Sequence, residues 1–316
     1  MSDLSEDFIA FGAPKISEKE IQRVVEVLRS GWIGKGEETI SFEKEFATYK
    51  GVEAAVGVNS CTAALHLSLI ALGIGPGDEV ITTANTFCST VNTIIHAGAT
   101  PVLVDIDPKY WNINSKKIEE KINKNTKCIV PVHFAGRMCD MAEITNLARK
   151  YNLFLVEDCA HAVETERSGR KAGTFGDAGC FSFYSTKNIT TGEGGIIISD
   201  DVEFLEKARK LSLHGLSRDA WARFSKEGSV GYDVEFTGYK YNMFDITAAL
   251  GRGQLLNVNA KWERRQKIWD YYNAELVELP IVLPAPVEKI ERHACHLYTI
   301  LLENNEQKTR DEFINF

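Results

Sequence analysis

Short apolar runs rich in β-branched residues recur along the first two thirds of the chain. They are AAVGV at 54–58, EVITT at 79–83, TPVLVDI at 100–106, KCIVPV at 127–132, LFLVED at 153–158, AGCFSF at 178–183 and GGIIIS at 194–199. Most are apolar at successive rather than alternate positions, the pattern of strands covered on both faces. Stretches near 62–72, 87–97, 115–123, 140–150 and 202–211 fall between many of them and read as helices. Seven strands interleaved in this way predict an α/β fold, a mainly parallel sheet flanked by helices. Upstream, Ser17 and Glu20 form a capping box before Ile21, Val24, Val25 and Leu28, and Gly31 follows, so a helix is expected over 18–30.

From residue 242 the pattern changes to two helical stretches, MFDITAALGRGQLLNV and KWERRQKIWDYYNAEL, then a strand expected at 296–303 and the opening of another helix in EQKTRDEFINF. The chain is therefore expected to divide into a large α/β domain over 1–241, N-terminal helix included, and a smaller C-terminal α+β domain over 242–316 that reads as incomplete.

Thirty-six Lys and Arg against 44 Asp and Glu give a formal charge of −8 over 316 residues, a soluble globular composition. Its sign argues against nucleic acid or an anionic membrane as partner. MSDLSEDFIAFGAP carries no basic-then-apolar signal pattern, and no run approaches the roughly 18 apolar residues of a spanning helix, so a cytoplasmic protein is expected. Seven cysteines with no CxxC pair read as reduced, mostly buried thiols. His293, Cys295 and His296 come nearest to a metal pattern but lack a second ligand group at zinc spacing, and no metal is expected. Asn188-Ile189-Thr190 matches a glycosylation acceptor in a chain with no secretion signal.

Ligands of open α/β sheets bind beyond the carboxyl ends of the strands. Four such places carry chemistry. NSCTAALHLSL opens a helix whose free N–H groups, near Thr62 and Ala63, suit an anion, or it is a plain Ser/Thr cap. Phe87 after EVITT is either a stacking wall for a planar ligand or core packing. Glu157 and Asp158, with His161 one turn on, need a partner for a buried carboxylate, either a structural cation or a ligand's. Ser182, Thr186 and Lys187 sit in a glycine-rich turn, where the lysine is a surface group or, desolvated, a nucleophilic amine. Together these four make the set that pyridoxal phosphate requires: an anion cup, an aromatic wall, an acid for the ring nitrogen and a lysine for the aldehyde. A dinucleotide is less well served, because GIGPGD at 73–78 precedes a strand instead of following one.

NSCTAALHLSL, VEDCAHA, FSFYSTKNITTGEGG and GYKYNMFDITAALG resemble the DegT/DnrJ/EryC1/StrS family of pyridoxal-phosphate sugar aminotransferases, with the likeness running from about Phe8 to the end. The resemblance implies a type I aminotransferase fold, a homodimer with active sites at the subunit interface, a nucleotide-linked keto-sugar as substrate and glutamate as amino donor. It makes Lys187 the Schiff-base lysine and the acid/base, and Asp158 the partner of the pyridinium nitrogen. Thr62, Ala63 and Ser182 become phosphate ligands, Phe87 covers the ring, and His161, where many relatives carry Gln, lies near the ring's phenolic oxygen. Either Lys240 or Asn242 takes the place of an Asn that reaches the neighbouring subunit's phosphate in many relatives. HGLSRDAW at 214–221 looks like members acting on the 4-keto carbon of UDP-linked deoxysugars for surface glycans or lipopolysaccharide. Trp32, Lys35, Tyr184, His214 and Arg218 are the corresponding substrate candidates, each with an ordinary surface or interface role as the alternative. Two other functions compete. One is sugar dehydration on the same fold, against which Lys187 weighs because such relatives typically carry His there. The other is a non-catalytic sensor, suggested by the short second domain.

Overall fold

In the computed structural model, which describes residues 11–217, 233–302 and 310–314, all seven apolar runs are strands of one sheet. In chain order the first elements are α1 (Glu18–Ser30), α2 (Glu37–Lys50), β1 (Ala54–Val58), α3 (Cys61–Ala71), β2 (Glu79–Thr83), α4 (Cys88–His96), β3 (Thr100–Val104) and β4 (Thr126–Ile129). Then follow α5 (Met141–Tyr151), β5 (Phe154–Asp158), β6 (Glu166–Arg167), β7 (Arg170–Lys171), β8 (Ala178–Ser182), β9 (Gly195–Ser199) and α6 (Val202–Ser212). The rest are α7 (Asp245–Leu256), α8 (Val258–Glu275), β10 (Ile281–Val282), β11 (Glu291–Arg292), β12 (Leu301–Leu302) and α9 (Arg310–Ile314).

The sheet runs β1-β9-β8-β5-β4-β2-β3. β9 is antiparallel to both neighbours, β1 and β8, and the other pairings are parallel. The carboxyl ends of β1, β2, β4, β5 and β8 therefore share one edge. Both faces are buried, as the runs of successive apolar residues require: Ile196 and Ile198 pack with Phe42, Phe46, Phe181 and Phe183 on one side, while Ile197 packs with Val56, Leu65 and Leu205 on the other. Among the described residues, no helix is long and apolar enough to cross a membrane. Six of the seven cysteines are buried, Cys88 is exposed, and all are free thiols.

The capping box at α1 is formed from both sides, Ser17 Oγ accepting from Glu20 N at 3.4 Å and Ser17 N donating to Glu20 Oε2 at 2.6 Å. Gly31 ends the helix at φ 75°. Two local expectations need correction, and one helix is an addition. The stretch at 115–123 makes only two single 3-10 turns, Ser115–Lys117 and Glu119–Lys121, because Ile118 is its one fully buried apolar anchor before the chain turns into β4. The strand expected at 296–303 is reduced to Leu301–Leu302, paired with Ile281–Val282. Its first residues are committed elsewhere: the N–H groups of His296 and Leu297 both point at Ala135 O. And α2 was not anticipated from the sequence.

Candidate active site

A cavity of about 760 Å³ lies at the edge where the parallel strands end. Its wall includes Thr62, Phe87, Asp158, His161, Ser182, Tyr184 and Lys187, brought together from the ends of β1, β2, β5 and β8. At the end of β1, Ser60 caps α3, its Oγ accepting from Ala63 N at 3.0 Å. The cap reading and the anion reading of this motif thus coexist. Ala63 is buried with its N–H donated to the cap, whereas Cys61 and Thr62 line the cavity, so the N–H groups of these first two helical residues are the ones the cap leaves available to an anion. The turn fits because β9 starts with a glycine: a Cβ on Gly195 would lie 2.4 Å from the Ser60 carbonyl.

The two carboxylates at the end of β5 face opposite ways, as strand alternation requires. Glu157 is fully buried and saturated, taking His133 Nε2 at 2.9 Å and the N–H groups of Gly173, Phe175 and Gly176. Glu157, His133 and Cys159 bring ligand atoms within 4.8 Å of one another, but these bonds already occupy the carboxylate. Asp158 faces the cavity, its Oδ2 accepting from Thr90 Oγ1 at 2.7 Å and its Oδ1 from Ala160 N at 3.1 Å. Burial pushes its carboxyl above the usual range, against the pull of those two bonds and of Lys187. Lys187 is half-buried in the turn after β8, its N–H bonded to Tyr184 O. Burial lowers its amine, while Cys61 and Asp158 oppose the shift.

His161 accepts the Ala135 N–H on Nδ1 at 3.3 Å, which leaves the ring proton on Nε2. Burial, then Lys187, depress its pKa to about 3. Phe87 is 74% exposed at the start of α4, so it is a cavity wall and not a core residue. The cavity also draws in residues that sequence reasoning passed over: Phe11, Thr86, Phe134, Glu193, His296 and Leu297. Only His296 carried a prior signal, as part of the cluster weighed as a metal site.

Trp32, Lys35, His214, Lys240 and Asn242 do not line this chain's cavity, and Arg218 lies outside the described residues. Trp32 Nε1 donates to Lys35 O at 3.1 Å in the turn before α2. His214 is exposed with φ 59°. Asn242 bridges Val58, and Lys240 bridges Leu213.

Pyridoxal phosphate fits this donor set. Cys61 N–H, Thr62 N–H and the Ser182 hydroxyl suit its phosphate, and Lys187 suits its aldehyde. Asp158 is a buried carboxylate that a protonated ring nitrogen would neutralise, which favours the charged form that burial opposes.

Residues 14–316 match the model of the DegT/DnrJ/EryC1/StrS aminotransferase family. The chain is 50% identical over 308 residues to the spore coat polysaccharide biosynthesis protein SpsC of Bacillus subtilis strain 168, covering 97% of this chain and 79% of that one. Among solved structures, the putative sugar aminotransferase Spr1654 of Streptococcus pneumoniae in its PMP form aligns with TM-score 0.88 at 36% identity, covering 94% of this chain and 79% of that one. Its PLP form aligns with TM-score 0.86 at 35% identity, covering 94% and 78%. Helicobacter pylori PseC, an aminotransferase involved in pseudoaminic acid biosynthesis, aligns with TM-score 0.86 at 30% identity over 93% of this chain and 78% of that one. The chain belongs to the DegT/DnrJ/EryC1/StrS aminotransferase family and is a pyridoxal-phosphate-dependent sugar aminotransferase with the type I fold.

Proposed function

We propose that the protein moves an amino group from glutamate to a nucleotide-linked keto-sugar, a UDP-4-keto-deoxysugar, as a cytoplasmic homodimer serving surface glycan or lipopolysaccharide synthesis. The observation that carries this reading is the placement of Lys187 and Asp158 on one cavity wall with the α3 helix start. The names of SpsC and PseC, one tied to spore coat polysaccharide and the other to pseudoaminic acid, support a glycan product.

Pyridoxal phosphate, when bound, supplies an aldehyde that carries the amino group and an electron-poor ring that accepts the electron pair released at the substrate carbon. The chain's own groups do the rest. Lys187 Nζ, with its proton affinity lowered by burial, carries the proton to and from the reacting carbon. Asp158, fixed by Thr90 and Ala160, holds a positive charge at the ring nitrogen. The N–H groups of Cys61 and Thr62 and the hydroxyl of Ser182 bind the phosphate, and Phe87 shields one face of the site. His161 offers an uncharged Nε2–H to an oxygen acceptor. Tyr184 lines the same space as a sugar contact. Trp32, Lys35, His214 and Arg218 are proposed contacts for sugar or diphosphate, and Lys240 or Asn242 reaches the phosphate of the second subunit.

Visible absorbance of the protein loaded with pyridoxal phosphate tests this. The band of lysine-bound cofactor should bleach with glutamate and return with the keto-sugar, whose mass should show an amine in place of the oxo group. Lys187→Ala should lose the band and all turnover, and wild-type turnover in that variant would sink the assignment.

A further inference from the structure

The chain that follows β11 is laced onto the large domain: Ala294 N donates to Gly136 O at 3.0 Å and His296 N to Ala135 O at 3.1 Å. This seats His296 in the cavity wall with its ring centroid 4.3 Å from that of His161 and the ring planes 33° apart. The hydrogen bonds around Asn188 fix which nitrogen of His296 carries the proton. Asn188 Nδ2 lies 2.8 Å from Glu164 Oε2 and 3.1 Å from Ala294 O, both acceptors, so the amide nitrogen must face them. That leaves Asn188 Oδ1 facing His296 Nδ1 at 2.9 Å. An amide oxygen only accepts, so the proton of His296 is on Nδ1 and Nε2 bears a lone pair. Glu164 is buried and is held in turn by Arg265 from α8. Burial, followed by His161 and Lys187, keeps the His296 pKa well below its usual value, which favours the neutral ring.

We infer that His296 Nε2 accepts a hydrogen bond from a hydroxyl of the sugar substrate, with Asn188 and Glu164 as the positioning residues that orient it. This rests on the proposed sugar half-reaction. The two substrates that share the cavity differ in what they offer a lone pair. Glutamate brings two carboxylates, which repel it, and an amino group that is consumed in the reaction. A sugar brings hydroxyl donors. His161 has the complementary state, with its Nδ1 filled by Ala135 N–H and its Nε2 a donor, so the tilted pair presents one donor and one acceptor.

Two measurements test the inference. Ring nitrogen NMR shifts of the protein should assign His296 to the Nδ1–H tautomer, and an Nε2–H tautomer overturns the inference. In single-turnover kinetics, His296→Phe keeps a flat ring over His161 but has no lone pair. Its sugar half-reaction should fall about tenfold more in kcat/KM than its glutamate half-reaction, the size of one lost hydrogen bond. His296→Gln, which restores an acceptor, should recover part of that loss. Equal losses in both half-reactions, or none in either, would mean that the ring only packs against His161. Should His296→Phe fail to fold, Asn188→Leu decides by the same ratio, since it leaves His296 in place without its orienting bond. A wild-type enzyme that completes the glutamate half-reaction but aminates no keto-sugar overturns the functional reading and the inference together, whereas the variant outcomes overturn the inference alone.

Discussion

Adjacent residues of one strand can have unrelated duties, and Glu157 and Asp158 do. From the sequence, both were carboxylates at the end of an apolar strand, each needing a partner. The partners of Glu157 come from His133 and from the turn at 173–176, well away in sequence, and nothing in VEDCAHA announces them. Although burial pushes the Glu157 carboxyl upward, His133 and the backbone N–H groups outweigh it and hold it below its usual value, whereas Asp158 is left above its own. His161 shows the same dependence on distant groups. From sequence it was a histidine one turn beyond the strand; the Ala135 N–H and a pKa of about 3 keep its imidazole an uncharged N–H donor. A Gln amide also offers an uncharged N–H. His161→Gln should therefore retain turnover within about tenfold and leave the pH–rate profile between about pH 6 and 8 unchanged. His161→Ala should lose considerably more. If an ionisation vanished from the profile in His161→Gln, the histidine would be titrating and its neutral role would be wrong.

At the scale of elements, legibility followed the location of each stabilising group. The helix at 18–30 carries its own cap and stop, Ser17, Glu20 and Gly31, and matches its sequence-derived bounds. The seven strands were readable because burial on both faces demands unbroken apolar runs. α2 was not readable, for two reasons. Its buried face includes Thr39, Glu43 and Lys50, which break the apolar spacing, and its N-cap is Gly36, which has no side chain to cap with. The cap comes instead from Asp245, at the start of α7. This buried carboxylate accepts from Gly36 N at 2.8 Å, Thr39 N at 3.0 Å and Thr39 Oγ1 at 2.7 Å. One side chain thereby ties the start of α2 to the start of α7 and fixes the turn that holds Trp32 and Lys35. Asp245→Ala strands these donors in the interior and should cost about 2–4 kcal/mol in urea unfolding of the loaded enzyme. A loss below about 0.5 kcal/mol would show that water replaces the carboxylate and that Asp245 is not what holds α2 in register.

Across the whole molecule, the positions of Lys240 and Asn242 bear on how many chains make one site. Asn242 bridges Val58 at the end of β1, and Asn59 N donates to Tyr241 O at 2.7 Å, so this segment lies along the strand that leads into the turn before α3. Even so, neither Lys240 nor Asn242 lines the cavity of its own chain, and Lys240 is exposed. A function in cofactor binding then requires a second copy to meet them, which is the homodimer proposed above. Mixed dimers separate this arrangement from a purely structural one. A chain with Lys187→Ala has an inert site of its own but keeps Lys240 and Asn242 to lend. A chain with Lys240→Ala and Asn242→Ala keeps Lys187 but has nothing to lend. Each homodimer should be inactive or severely weakened. Combined and isolated as the heterodimer, they should regain about half of wild-type turnover, because one of the two sites then holds both Lys187 and the lent residues. If the heterodimer is no more active than the double-variant homodimer, Lys240 and Asn242 act within their own chain, and the site does not depend on the second copy through them.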